Sequence, residues 1–203
     1  MILAIDTSLG TSVAVIDAQG VCVAERNAHD PLGHAEVIGD ALAAVAQPGL
    51  THVVAGMGPG PFTGLRIGIA TARAFALGRA VPVVGVPSHF ALALSEIEAD
   101  ATAGRFAIVT DARRREVAVT VFEGLDTDGV PHIVADTVLV LRSDVEAHLG
   151  AIRVVEASAL SAVSLARVGQ RALAAERVLA GSEPLYLRQP DVKQPHAPKR
   201  VGL

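Results

Sequence analysis

Lysine is absent before Lys193, tryptophan is absent throughout, and cysteine occurs once, at Cys22. Without an early lysine the chain cannot carry the phosphate loop GxxxxGK[ST]. One cysteine excludes an intrachain disulfide and a multi-cysteine zinc site, and it suits a reducing compartment. Cys22 lies in the alternating run GVCVAE and is expected as a packed core thiol rather than a nucleophile. Aromatic residues make up only 3%, so the core must be built from Val, Ile, Leu and Ala. None of the histidines pair at HxH, HxxH or HxxxH spacing, and no GxSxG occurs. No run of about 18 apolar residues is present to span a membrane. MILAIDTS has no basic stretch ahead of its apolar one, so no secretory leader is expected. The expected location is cytoplasmic.

What remains is an apolar, folded chain of 203 residues, 51% hydrophobic and 19% charged. Its net charge of −4 provides no global field to attract nucleic acid. Strands are predicted at 2–6, 12–17 and 21–28, then a helix at 34–46, a strand at 51–55, a helix at 63–77, a strand at 81–86 and a helix at 88–99. The pattern restarts after EADATAGR, with strands at 106–110, 116–122 and 133–141. A short helix at 143–149, a strand at 153–155 and an amphipathic helix at 161–177 complete it. The fold class is α/β: two lobes, each a mixed sheet covered by helices, the second a trimmed copy of the first. Residues 1–102 form the first lobe, 103–188 the smaller second lobe, and 189–203, rich in proline and holding both lysines, a loose tail or else a short basic arm.

The helix at 63–77 has small side chains at Gly64, Gly68, Ala72 and Ala76, flanked by Leu65 and Ile69. Each interior glycine costs about 0.8–1 kcal/mol relative to alanine, which close packing would offset. The helix at 34–46 repeats the feature with Gly39, Ala43 and Ala46 behind its core face. These nine residues form a candidate partner interface. The alternative is that the chain itself covers them.

Two loops are candidate anion sites, each with a purely structural turn as the alternative. GMGPGP, with Gly58 and Gly60, leads into the helix, where Thr63 is the expected N-cap. IDTSLGTS brings Asp6, Thr7 and Ser8 to the end of the first strand. A third segment, TDARRREV, sets Asp111 beside Arg113, Arg114 and Arg115 in a turn that either holds an anion or RNA, or is a solvated hairpin tip.

The stretches ILAIDTSLGTSVAVID, GHAEVI, GMGPGPFTGLRIGIATARAFALG, TDARRREV and EPLYLR resemble the bacterial TsaB (YeaZ) family, in order and along nearly the whole chain. The segment GPGPFTGLRIG is the most specific. Pro61 stands where the family usually has Ser, Ala35 where Ser is common, and Arg115 where Gly is usual. The resemblance implies an ASKHA fold, the architecture of actin, Hsp70 and sugar kinases. It also implies a role in forming N6-threonylcarbamoyladenosine at position 37 of tRNA. In that role the chain is a non-catalytic partner of a TsaD-type transferase, helps recruit a TsaE-type ATPase, and docks through its two first-lobe helices. ATP and metal are then expected on the partner subunits, no cofactor or metal on this chain, tRNA contact only through the complex, and a homodimer when alone. The residues agree: Ser8 stands where a DxGxT loop has Gly, and Ile38 where a metal-binding helix would carry a second His after His34. The competing expectation is a degenerate ASKHA phosphotransferase or a peptidase-like enzyme.

Overall fold

The computed structural model describes residues 1–28, 33–102 and 104–188. The expected tail, 189–203, lies outside the described residues, as do His29 and His196.

Three consecutive strands, β1 (Ile2–Asp6), β2 (Thr11–Ile16) and β3 (Cys22–Ala28), form an antiparallel meander. The chain then runs through α1 (His34–Val45), β4 (His52–Gly56), α2 (Phe62–Arg79), β5 (Val83–Val86) and α3 (Ser88–Ala99). β4 joins β1 in parallel and β5 joins β4, giving a five-stranded sheet of order β3-β2-β1-β4-β5. The second half supplies β6 (Arg105–Asp111), β7 (Glu116–Leu125) and β8 (Pro131–Leu141). After a 3-10 turn at Arg142–Asp144 come α4 (Val145–Leu149), β9 (Arg153–Glu156) and α5 (Ala162–Ala174). Their sheet has the order β8-β7-β6-β9, with β9 parallel to β6.

Every residue of β1 and β2 is buried, which explains why neither strand alternates polar and apolar side chains. One face of the first sheet packs Leu3, Ile5, Val13 and Val15 against Ile38 and Leu42 of α1 and Leu65 and Ile69 of α2. The other face packs Ile2, Ala4 and Ile16 into a core shared with α3, α5 and the inner face of the second sheet, including Phe106, Ile108 and Phe122. The helices α3 and α5 thus lie between the sheets. The small helix α4 covers the far side of the second sheet with Leu149. The boundary expected at 102/103 falls between α3 and β6, yet α5 crosses back: a Cβ on Gly169 would meet Val54 Cγ2 of β4 at 2.5 Å. Arg167 Nε also donates to Gly20 O at 2.9 Å.

Two local expectations are corrected. Cys22 is exposed, because β3 is an edge strand and Cys22 sits where the β2–β3 register shifts. Its thiol is held above its usual range by desolvation and then by the Glu25 charge, so it is not poised as a thiolate. Thr63 is not the N-cap of α2. Pro61 is, with no side-chain cap, and Leu65 N donates to Pro61 O at 3.0 Å. Proline sets the backbone for helix entry and gives up an amide that would be unsatisfied there.

Candidate functional site

The helix row expected to face a partner faces the chain's own interior. Gly64, Leu65, Gly68, Ile69, Ala72 and Ala76 are the buried residues of α2. A Cβ on Gly64 would lie 2.8 Å from Thr7 O and 3.0 Å from His34 Nε2, and one on Gly68 would overlap Thr7 Oγ1. The small residues let the β1–β2 loop and His34 of α1 come against the helix backbone, and Thr7 Oγ1 donates to Gly64 O at 2.7 Å. Those six positions are therefore corrected from interface to core. Gly39 and Ala43 do lie outward, and Ala46 is half-buried. The outer side of α2 instead carries Ala70, Ala74 and Leu77, the last 84% exposed.

The loops gather at the cleft between the two sheets. Asp6, at the end of β1, is sealed under it. Its Oδ1 accepts from Ser8 N at 2.7 Å and Ser8 Oγ at 2.5 Å, and its Oδ2 accepts from Ser88 Oγ at 2.5 Å. Burial raises the carboxyl above its usual range against those hydrogen bonds. Ser88 also accepts from Gly58 N at 3.1 Å, so the start of α3 is tied to both loops. Gly60 is crowded as well: a Cβ there would meet Ser8 Cα and Cβ at 2.8 Å. Ser8 is thus packed against Gly60 with its hydroxyl spent on Asp6. His34 is a buried core histidine whose Nδ1 pairs with Thr11 Oγ1 at 2.9 Å, and Ile38, one turn on, packs in the same core. Among the described residues, no group of three His, Cys, Asp or Glu is arranged to hold a metal.

Two cavities adjoin at the cleft. One, about 500 Å³, is lined by Ser8, Gly10, Asp111, Arg113, Arg142 and Glu156, among others. Its charges are matched: Arg113 stands 3.8 Å and Arg142 4.0 Å from Asp111, and Arg142 is 3.3 Å from Glu156. The other, about 300 Å³, lies between the Pro59–Gly60–Pro61 turn, the β6–β7 hairpin and residues 185–188. Ser8, Gly60, Asp111 and Arg113 therefore reach the cleft wall, whereas Asp6 and Thr7 are buried beneath it and Gly58 is held against Leu65. The hairpin tip is exposed, as a solvated turn would be, but it also forms a cleft wall.

Sequence reasoning missed Ser88 and His89, which follow Pro87 at the start of α3. His89 is fully buried between the sheets, with Nδ1 2.7 Å from Thr120 Oγ1 and Nε2 2.9 Å from Thr110 Oγ1. Desolvation lowers its pKa to about 3. No spacing motif marks a histidine whose partners lie on β6 and β7. Tyr186 was also missed. It stacks on Phe62 at 4.9 Å between ring centroids.

Comparisons with known proteins agree with this architecture. Residues 34–139, just over half the chain, match the family model described as TsaD: tRNA N6-adenosine threonylcarbamoyltransferase. Uncharacterized proteins of Mycobacterium tuberculosis and Mycobacterium bovis are 38% identical over 208 residues, covering 95% of this chain and 93% of theirs. YeaZ from Pseudomonas aeruginosa superposes with a TM-score of 0.72 at 24% identity, over 92% of this chain and 99% of that one. A protein with similarity to peptidase YeaZ, also from Pseudomonas aeruginosa, gives 0.72 at 25% identity with the same coverage. The fold is the two-lobed ASKHA type with mixed sheets. The chain belongs to the family of TsaD-type tRNA N6-adenosine threonylcarbamoyltransferase domains, on its TsaB (YeaZ) side.

Proposed function

We propose that the chain is a cytoplasmic, non-catalytic subunit in tRNA threonylcarbamoyladenosine formation. It pairs with a TsaD-type transferase and helps recruit a TsaE-type ATPase, with ATP and metal held by those partners. The observation that supports this most is the closed first loop: Ser8 packs on Gly60, and Ser8 and Ser88 occupy the buried Asp6 carboxylate, so it is not open to a metal–phosphate. The docking face is the outer side of α1 and α2, with Gly39 and Ala43 on one helix and Ala70, Ala74 and Leu77 on the other. In the absence of its partner the chain covers this face by pairing with a second copy, because an exposed apolar patch favours self-association.

The test against the phosphotransferase alternative is calorimetry of the full chain with ATP and magnesium. No binding tighter than about millimolar is expected, since a buried carboxylate cannot reach a metal–phosphate. Sub-micromolar binding would overturn the reading. Replacing Ser8 by glycine is expected to leave the chain folded and free the Asp6 carboxylate from one hydrogen-bond donor, raising its pKa further; NMR titration of the Asp6 carboxyl checks the direction.

A further inference from the structure

The chain has six aromatic side chains and buries three of them, yet two lie exposed and stacked beside an arginine hairpin. Phe90, Phe106 and Phe122 are core residues, whereas Phe62 is 43% and Tyr186 37% exposed. Their rings stack at an interplanar angle of 29°. The Arg66 guanidinium sits 3.6 Å above the Phe62 ring, and its Nε donates to Tyr186 Oη at 2.9 Å. Each ring covers a face of the other and Arg66 lies over Phe62, so the pair is a preformed aromatic wall carrying positive charge.

Across the 300 Å³ cavity stands the hairpin. Arg113, Arg114 and Arg115 all have left-handed backbones, with φ of 63°, 54° and 65°. That conformation is unfavourable for non-glycine residues. It is held here by backbone bonds: Glu116 N donates to Arg113 O at 3.0 Å, Arg142 N to Arg115 O at 2.8 Å, and the Arg188 guanidinium to Arg113 O at 3.2 Å. Asp111 lies near Arg113, and Glu116 pairs with Arg188. Arg66 and Arg115 have no carboxylate partner among the described residues. In a chain of net charge −4, Arg113 and Arg188 line this cavity, while Arg66 and Arg115 belong to the helix and hairpin that flank it.

We propose that this mouth binds a single-stranded RNA segment. One base enters the cavity against the Phe62–Tyr186 stack, and its flanking phosphates lie on Arg113, Arg115 and Arg188. Stacking accepts any base, and guanidinium groups bind phosphate oxygens in pairs. The choice of RNA over other polyanions rests on the tRNA-modification reading. The inference departs from the expectation that tRNA touches the chain only through its partners.

The experiment is fluorescence anisotropy of the full chain with a labelled, unmodified tRNA transcript, from about 50 to about 200 mM salt. Binding is expected to weaken steeply across that range. The double variant Arg113→Gly, Arg115→Gly places glycine where φ is positive, so its thermal midpoint should not fall. Its log–log salt slope should shrink by roughly two. Tyr186→Leu should weaken binding about 10-fold or more at every salt concentration with the slope unchanged. An unchanged slope and affinity in the double variant would overturn the site. So would AMP binding at micromolar concentration by a chain that does not bind the transcript, which marks a mononucleotide pocket. Each protein is also run on size exclusion with the TsaD-type subunit, where the glycine variant is expected to co-elute. A wild-type chain that co-elutes but never binds the transcript refutes the RNA site and leaves the subunit role intact.

Discussion

Replacing Gly68 by leucine is expected to destabilise the chain strongly, not merely to detach a partner. The sequence alone suggests the opposite, that such a variant stays folded and loses only its interface. The structure reverses this because Gly68 faces Thr7: a Cβ there would overlap Thr7 Oγ1 and lie 3.0 Å from its Cγ2. Thr7 cannot move aside freely, since its hydroxyl donates to Gly64 O inside the same contact. Overpacking a well-filled core typically costs about 1–3 kcal/mol, and a leucine adds three more carbons beyond the Cβ. A loss of more than about 3 kcal/mol is expected in urea titration, a large share of a typical domain's stability. Gly39 supplies the contrast. It lies on the outer side of α1 with nothing within 4 Å of a Cβ, so Gly39→Ala should stabilise by up to about 1 kcal/mol. Equal midpoints for the two variants would refute the inward orientation of α2.

The second large effect is a pH dependence set by His89. Unfolded, its imidazole protonates near its usual pKa of about 6.5. Folded, desolvation between the sheets lowers the value to about 3. Between those values the folded chain binds fewer protons, so stability falls as the pH falls. The limit is about 1.4 kcal/mol per pH unit, or roughly 3 kcal/mol from pH 6.5 to pH 4. Asp6 acts in the opposite sense, because its raised carboxyl takes up a proton in the folded state first and gains stability on acidification toward its unfolded value. His89→Gln keeps a donor and an acceptor for Thr110 and Thr120 but does not titrate. The difference between wild type and His89→Gln in urea midpoints at pH 6.5 and pH 4 therefore isolates the histidine. Parallel curves would show that His89 does not titrate against burial.

The order of elements was legible because the first half alternates strands and helices with clear glycine and proline punctuation. GMGPGP marks the passage from β4 to α2, and DAQG the turn from β2 to β3. The small row of α2 was legible too, but not its direction. A helix wheel shows that Gly64, Gly68, Ala72 and Ala76 share a side, and it cannot say which of two apolar sides faces the strands. Thr7 settles this, and its contact is 57 residues away in sequence from Gly64. Separation along the chain likewise hides His89, whose two threonines lie on strands of the other sheet, and Tyr186, which returns to α2 from the end of the described chain. Cys22 read as core because GVCVAE alternates; Ala24 on the same strand does pack on the core, but Cys22 sits at the strand's start, where the register with β2 shifts, and is exposed.

The most direct measurement is size-exclusion chromatography of the full chain with its TsaD-type partner, comparing wild type with the double variant Ala74→Arg, Leu77→Asp. Both side chains point away from the core, so the thermal midpoint should be unchanged within a few degrees. The account predicts that wild type elutes with the partner as one species and that the variant elutes apart from it. Co-elution of the variant, or separate elution of wild type, would contradict it.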